Sequence, residues 1–418
     1  MFIMKESEVD WIKRIPTHWN TNKCKYISLF INGYSFDSKK LISDYIFPVI
    51  RIGDINGGKI NYSSILGVKS NNGLQQYKTQ PNDILLAMSG ATVGKIGLVN
   101  IDDKASYINQ RVGIIRSKFS KYLFYCLSTN SFIEYILLNA LGSAQPNVST
   151  NIFNNFKIPF PSLIEQHKIA DFLDRKCSEI DALTADIQTQ IETLEEYKKS
   201  VITEAVTKGL DPNVEMKDSH CFYVGLINKN WDTTKIGYFC KKMYHPVDEN
   251  LIPLICSNKG KVEIRDNSLV GRMVSENHAM QGIRQGEIAI HGMDTWHGAI
   301  GISTFDGNIT RVVHVCQSTG DNRFVVYYLQ SLAFRNVYKL ISNGIRGNTS
   351  DFRSWELVKK IVVPHPSKTE QSQIADFLDQ KCSEIDQTIS EKQQQLETLV
   401  EYKKSLIYEY VTGKKEVA

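Results

Sequence analysis

The sequence predicts two mixed α/β lobes, each followed by a long helix. Three observations lead there: a helical segment that occurs twice, a second repeat that opens each lobe, and an alternation of basic and acidic blocks. The helical repeat has an offset of 205 residues. Residues 165–207, EQHKIADFLDRKCSEIDALTADIQTQIETLEEYKKSVITEAVT, align without a gap on residues 370–412, EQSQIADFLDQKCSEIDQTISEKQQQLETLVEYKKSLIYEYVT, with roughly two positions in three identical. A Pro-x-Pro-Ser element precedes each copy (Pro159–Ser162 and Pro364–Ser367), where proline ends a strand and serine starts a helix.

Apolar residues recur every seven positions in the first copy: Leu173, Ile180, Ile187, Leu194 and Val201. The second keeps Leu378, Ile385, Leu399 and Leu406, while Lys392 breaks the series and Ile389 and Leu396 flank it. Heptad recurrence with charged flanks predicts helices that pair along a seam, each with the other copy as its natural partner, in an antiparallel coiled coil. A stretch of about 45 residues gives an arm on the order of 65 Å. A generic helical hairpin without a spacer role is the plainer alternative. A globular block before each copy argues for the spacer.

The second repeat has an offset of 212 residues: MKESEVDWIKRIPTHWNTNKCKY from Met4 matches MKDSHCFYVGLINKNWDTTKIGY from Met216, sharing Ser7/Ser219, Ile15/Ile227, Trp19/Trp231 and Tyr26/Tyr238. Within the lobes, residues 47–60 face 252–262, residues 83–99 face 287–303, and residues 111–115 face 311–315. These are short β-rich runs between Gly, Asn and Asp turns, so each lobe is expected to carry a twisted sheet. The polar segment KGLDPNVEMKDS reads as a boundary. The organisation is therefore a first lobe (1–155), a helical spacer with its junction (156–215), a second lobe (216–360) and a second helical spacer (361–418), a pseudo-twofold internal repeat.

Residues 1–155 hold 17 Lys/Arg against 10 Asp/Glu, residues 220–360 hold 17 against 12, and the remainder, mostly helical, holds 15 against 23. Positive charge thus sits in two separate blocks, as phosphate-facing lobes require. No apolar run has membrane-spanning length, and the start carries acids where a secretory signal has a basic and then an apolar stretch. The expectation is a cytoplasmic protein. The eight cysteines are scattered, with no C-x-x-C pair. Cys177 and Cys382 occupy equivalent helical positions and read as small buried hydrophobes.

Three motifs invite catalytic readings. GATVGK (Gly90–Lys95) is one residue short of a phosphate loop, and Ile96 stands where the Mg²⁺-binding hydroxyl belongs. Asp83 with Asp102 and Lys104 suggests a nuclease set, but the second lobe offers Glu287 and Asp306 without the lysine. His291 and His297 have no acid or cysteine at metal-ligand spacing, so no metal is expected. No S-adenosylmethionine fingerprint, adenine-flipping element or helicase motif is present. No catalytic residues are assigned.

Candidate DNA contacts are basic or amide side chains in or beside Gly/Asn-rich turns: Arg51, Lys59, Lys95, Arg111 and Gln145 in the first lobe, and Lys259, Arg284, Arg311, Arg346 and Asn348 in the second. Arg and Lys contact phosphates or guanine edges, and Asn or Gln pairs with adenine. For each, a solvated surface charge is the plainer reading.

The whole pattern resembles the specificity subunits of type I restriction–modification systems. The residues that carry the resemblance are Trp11 and Trp19, DILLAMSGATVGKIGLV, NQRVGIIR (Asn109–Arg116), IPFPSLIEQHKIADFLDRKCSEID, the VTKGLDPNVEMKDS junction and the second cycle ending in EYKKSLIYEYVTG. Two departures concern lobe detail: Tyr223 stands where a second Trp11 belongs, and the second lobe lacks the S-G-A-T turn. The resemblance implies a non-catalytic subunit that recognises a bipartite asymmetric sequence in double-stranded DNA, one half-site per lobe. Its implied partners are methylation subunits, which use S-adenosylmethionine, and restriction subunits, which use ATP and Mg. Two near-identical helices suit two copies of the methylation subunit. Phe172, Ile180 and Tyr197, with their copies Phe377, Ile385 and Tyr402, are expected to carry helix pairing or subunit contact. The alternatives are a self-sufficient restriction enzyme, which S-adenosylmethionine turnover by the chain alone would reveal, and a DNA-free coiled-coil scaffold, which a mobility shift on random duplex would separate.

Overall fold

In a computed structural model, residues 3–69, 73–139, 148–265, 280–342 and 351–417 are described. They form two compact units, one of residues 1–187 with 394–418 and one of residues 188–393. Each unit holds one lobe, the start of one long helix and the end of the other. The long helices are Leu163–Lys208, 46 residues, and Lys368–Val411, 44 residues. At 1.5 Å rise they measure about 69 and 66 Å.

Both helices start with the same cap. Ser162 Oγ accepts from the Glu165 N–H at 3.3 Å, and the Glu165 carboxylate accepts from the Ser162 N–H at 3.1 Å, closing a capping box. Ser367 Oγ accepts from the Glu370 N–H at 3.3 Å in the second copy. A buried indole adds a donor each time: Trp19 Nε1 to Glu165 at 3.1 Å, and Trp231 Nε1 to Glu370 at 2.9 Å. Both helices also end alike, on a glycine in the left-handed region, Gly209 (φ 88°) and Gly413 (φ 70°).

Within each unit the helical segments run antiparallel. In the first, Ile169, Leu173, Cys177 and Ile180 share a core with Leu406, Ile407 and Val411. In the second, Ile202, Ala205 and Val206 share a core with Ile374, Leu378 and Cys382. The repeat makes Lys198 equivalent to Lys403 and Asp386 equivalent to Asp181, and the same ion pair forms in both units: Lys198–Asp386 at 2.6 Å and Lys403–Asp181 at 2.5 Å. Lys392, which breaks the heptad, is half-buried and donates to Gln190 Oε1. Cys177 and Cys382 are buried, as expected from their place in the repeat.

Each lobe is built on a four-stranded antiparallel sheet with one strand order. In the first lobe the order is Leu29–Asn32, Val112–Arg116, Ile84–Ala87, Ile96–Leu98. In the second it is Cys240–Lys242, Val313–Ser318, Ile288–His291, Ile300–Ile302. The helix after the long strand, Ser120–Leu127 or Asn322–Phe334, covers one sheet face and meets the long helix through matching contacts. Tyr125 Oη donates to Asp174 at 2.7 Å, and Tyr327 Oη donates to Asp379 at 2.6 Å. Trp11 and Tyr223 differ in chemistry yet anchor equivalent strand residues. Trp11 Nε1 donates to the Lys157 carbonyl at 3.0 Å, whereas Tyr223 Oη accepts from the Val362 N–H at 2.7 Å.

Candidate nucleic-acid interface

In the first lobe the turns after Ile50 and Ile108, which end two parallel strands of a three-stranded sheet, lie beside the end of the four-stranded sheet where Ala87 opposes Val112. The turns are tied together: the Met88 N–H donates to the Arg111 carbonyl and the Asn109 N–H to the Ile50 carbonyl, both at 2.9 Å. Arg51, Lys95 and Arg111 therefore meet at that end. Lys59 lies beside them on a tight hairpin, Ile55–Asn56 with Lys59–Ile60, against the edge strand 96–98. Lys95 Nζ reaches Asn56 Oδ1 at 3.4 Å, and Arg51 Nε lies 3.5 Å from buried Asp54. Lys59, Lys95 and Arg111 are exposed. The half-exposed ring of Tyr34, whose N–H donates to the Ile108 carbonyl at 3.0 Å, stands at the same end. Sequence reading passed over Tyr34, although its I-N-G-Y-S-F turn carried the same signal as the other loops.

In the second lobe, Arg311 occupies the corresponding end, exposed, with Nε donating to the Met280 carbonyl at 2.9 Å. Arg284 lies at the other end of the sheet, where its N–H donates to Glu287 at 2.8 Å and its guanidinium sits 3.4 Å from Asp306. The structure thus does not bring Arg284 together with Arg311. Lys259 is exposed on the turn between Leu254–Cys256 and Val262–Ile264. It lines a groove of about 920 Å³ with Lys261, Lys198 and Arg323. Gln145, Arg346 and Asn348 lie outside the described residues.

The catalytic-looking motifs have structural employment. GATVGK runs from strand Ile84–Ala87 through a 3-10 turn into strand Ile96–Leu98, so the loop does not lead into a helix N-terminus as a phosphate loop does. Asp83 is buried and gripped from two sides by Arg116, at 2.8 Å from Nε and 2.7 Å from Nη2. The hydrogen bonds to Asp83 raise the Arg116 pKa against the cost of burial. Glu287 occupies the equivalent place and pairs with His245 at 2.7 Å. His291 is buried, with Nδ1 accepting from the Asp294 N–H at 3.1 Å. Burial depresses the pKa of His291, opposed by Asp294; burial likewise depresses that of His314. Among the described residues, no group of three or more His, Cys, Asp or Glu side chains is placed to hold a metal ion, and no helix is long and apolar enough to cross a membrane.

On the long helices, Ile180 and Ile385 are buried, Phe172 is half-buried, and Phe377, Tyr197 and Tyr402 are exposed. The exposed face around the tyrosines is the same in both copies: Glu192, Thr193, Glu196, Tyr197 and Ser200 correspond to Glu397, Thr398, Glu401, Tyr402 and Ser405.

Residues 16–193 match the family model described as the type I restriction modification DNA specificity domain. The chain is 25% identical over 234 residues to the StySPI type I restriction enzyme specificity subunit of Salmonella potsdam, an alignment that covers 54% of this chain and 48% of the relative. It is 26% identical over 354 residues to the MjaVIII specificity subunit of Methanocaldococcus jannaschii, covering 80% and 79%. The chain therefore spans about half the length of the first relative and most of the second. A solved chain from work on complex assembly and conformational transition of the type I R-M system shares the fold, with a TM-score of 0.71 at 15% identity over 96% of this chain and 99% of that one.

Proposed function

From the match of residues 16–193 to the type I restriction modification DNA specificity domain and the likeness to specificity subunits, we propose that the chain is such a subunit, one that reads a bipartite, asymmetric sequence in double-stranded DNA and directs adenine methylation or ATP-dependent cleavage by partner subunits. The observation that carries this reading is one sheet topology built twice, with exposed cations in the turns at the same end of each sheet. Lobes 1–155 and 216–360 each take one half-site. Arg111 and Arg311 approach phosphates or base edges, joined in the first lobe by Arg51, Lys59 and Lys95.

The duplicated exposed face around Tyr197 and Tyr402 supports the partner assignment. Exposed positions are free of packing demands, so their identity in two copies favours a shared binding task over a shared core. Two copies of a methylation subunit fit two such faces, and restriction subunits complete the complex. S-adenosylmethionine, ATP and Mg belong to those partners in this reading. The chain itself acts by binding, in the cytoplasm. Methylated adenines mapped in DNA from cells carrying the three genes give the motif. Replacing residues 1–155 by the corresponding lobe of a relative is expected to change one half of that motif and keep the other, and a change in both halves would refute the independent-lobe reading.

A further inference from the structure

One arginine in each lobe is held at Nε, and the two occupy different places in the repeat. In the first lobe the Asp54 carboxylate is buried, and its Oδ2 accepts from the Arg51 N–H at 2.8 Å. The same oxygen lies 3.5 Å from Arg51 Nε, so a carboxylate fixed by the backbone also faces the inner edge of the guanidinium. In the second lobe Arg311 stands on the turn between strands Gly307–Thr310 and Val313–Ser318, and its Nε donates to the Met280 carbonyl at 2.9 Å. Among the described residues no Nη of either arginine makes a hydrogen bond, and both side chains reach solvent.

Their cationic neighbours are not held in this way. Lys59 and Arg111 make no side-chain hydrogen bond or ion pair among the described residues, and Lys95 Nζ reaches only Asn56 Oδ1, at 3.4 Å. Arg111 and Arg311 are aligned in the repeat, yet only Arg311 is held. The residue aligned with Arg51 is Cys256, which is buried.

Anchoring Nε fixes the guanidinium plane and leaves the Nη1 and Nη2 edge facing outward. That edge is a pair of parallel donors, which matches O6 and N7 of guanine in the major groove. Order already present in the free protein is not lost on binding, which favours a contact that needs one geometry. A phosphate is drawn by charge rather than by a fixed donor pair, and an unanchored lysine can follow it. Asp54 also offsets the charge of Arg51, so a phosphate gains less there than at Lys59 or Lys95.

We propose that Arg51 and Arg311 each read the major-groove edge of one guanine, one in each half-site, while Lys59, Lys95 and Arg111 hold phosphates. Asp54 is a positioning residue that acts through Arg51. The assignment rests on the DNA-recognition reading above and names what its two half-sites contain.

The test maps methylated adenines in cells carrying the three genes, with wild type, Arg51→Lys, Arg311→Lys, Asp54→Asn or Lys59→Ala. Lysine keeps the positive charge and removes the donor pair. Arg51→Lys is expected to relax one G·C position in one half-site, cutting its discrimination by about tenfold or more, and to leave the other half-site intact. Arg311→Lys is expected to do the same in the other half-site. Asp54→Asn keeps an acceptor for the Arg51 N–H and is expected to relax the same base pair as Arg51→Lys, but less. Lys59→Ala is expected to lower methylation evenly at all sites. Where a variant abolishes methylation, competition binding of the purified complex to duplexes with that G·C pair kept or replaced reads the same ratio. Unchanged motifs in the two arginine variants, an even loss on both duplexes, or relaxation at an A·T pair would each overturn the proposal. Failure of the underlying reading looks different: the wild-type chain itself then gives no bipartite motif, and both fall together.

Discussion

Trp231 donates its indole N–H to Glu370 Oε1 at 2.9 Å while its ring edge lies against Gly209, where a Cβ would meet Trp231 Cζ2 at 3.1 Å. One side chain thus holds the start of the second long helix beside the end of the first. Trp19 does the same in the other unit, between Glu165 and Gly413. The lobe and both helical segments of each unit meet at this ring.

Trp231→Phe keeps most of the bulk and removes the donor, so it is expected to cost about 1–2 kcal/mol of unfolding free energy. Gly209→Ala is expected to cost at least as much, since its φ of 88° strains any L-residue and its Cβ would press on the indole. Urea unfolding of both variants checks this. Wild-type stability in Trp231→Phe would show that Glu370 needs no indole donor.

Glu165 carries a pH dependence. Burial pushes its pKa up, but hydrogen bonds from His18, Ser162 and Trp19 outweigh burial and hold it down, from 4.5 to about 2. A carboxylate with a depressed folded-state pKa contributes stability that is present above the unfolded value. That contribution is lost as pH falls through the folded value. The stability difference between wild type and Glu165→Gln is therefore expected to be constant above pH 4.5 and to shrink between pH 4.5 and about 2. Unfolding curves across that range measure it, and a difference that stays constant down to pH 2 would contradict the assignment.

Phe172 and Phe377 are equivalent in sequence but not in surroundings. The Phe172 ring lies 4.4 Å from that of Tyr410, whereas the residue equivalent to Tyr410 is Ala205, and Phe377 stays 41% exposed. Phe172→Ala is expected to cost about 2 kcal/mol, less than for a fully buried ring, and Phe377→Ala under about 1 kcal/mol. If Phe377 contacts a partner, its variant weakens assembly without weakening the fold. Calorimetry of the chain together with native mass spectrometry of the complex separates the two effects.

The covalent route from the first lobe to the second runs along the first long helix and the 209–215 junction. Four residues inserted after Ala185 lengthen that helix by about 6 Å and rotate later side chains by roughly 40°. The expected result is one or two further unspecified base pairs between unchanged half-sites in the methylated motif. An active variant with its original spacing would show that helix length does not set that interval.

The duplication was legible because it is written twice. Two helices, their Pro-x-Pro-Ser starts and the correspondence of strands 84–87 and 288–291 all follow from aligning the chain with itself. Legibility ended where partners come from distant sequence. The heptads picked out Leu173 and Ile180 but missed Ile191 and Ala205, which lie four positions after Ile187 and Val201 on the second line of the same stripe, and Val206, which is buried in the core it shares with the second lobe. Charge and turn composition likewise selected Arg111, Arg311 and Arg284 as equals.

By itself, then, the sequence determined what local pattern and internal identity can carry: helix and strand periods, caps, boundaries and the repeat. The tertiary structure decided which end of a sheet each turn occupies, and so set Arg111 among other cations and Arg284 opposite Arg311. It also decided that Gln166 and Gln371, equivalent in the repeat, differ in one hydrogen bond: the Asp321 N–H donates to Gln371 Oε1, and among the described residues Gln166 Oε1 has no counterpart. The donor comes from a backbone 50 residues away whose path depends on the packing of the whole lobe. Contacts of that range are fixed by how close-packed elements fit together, and no local pattern holds that information.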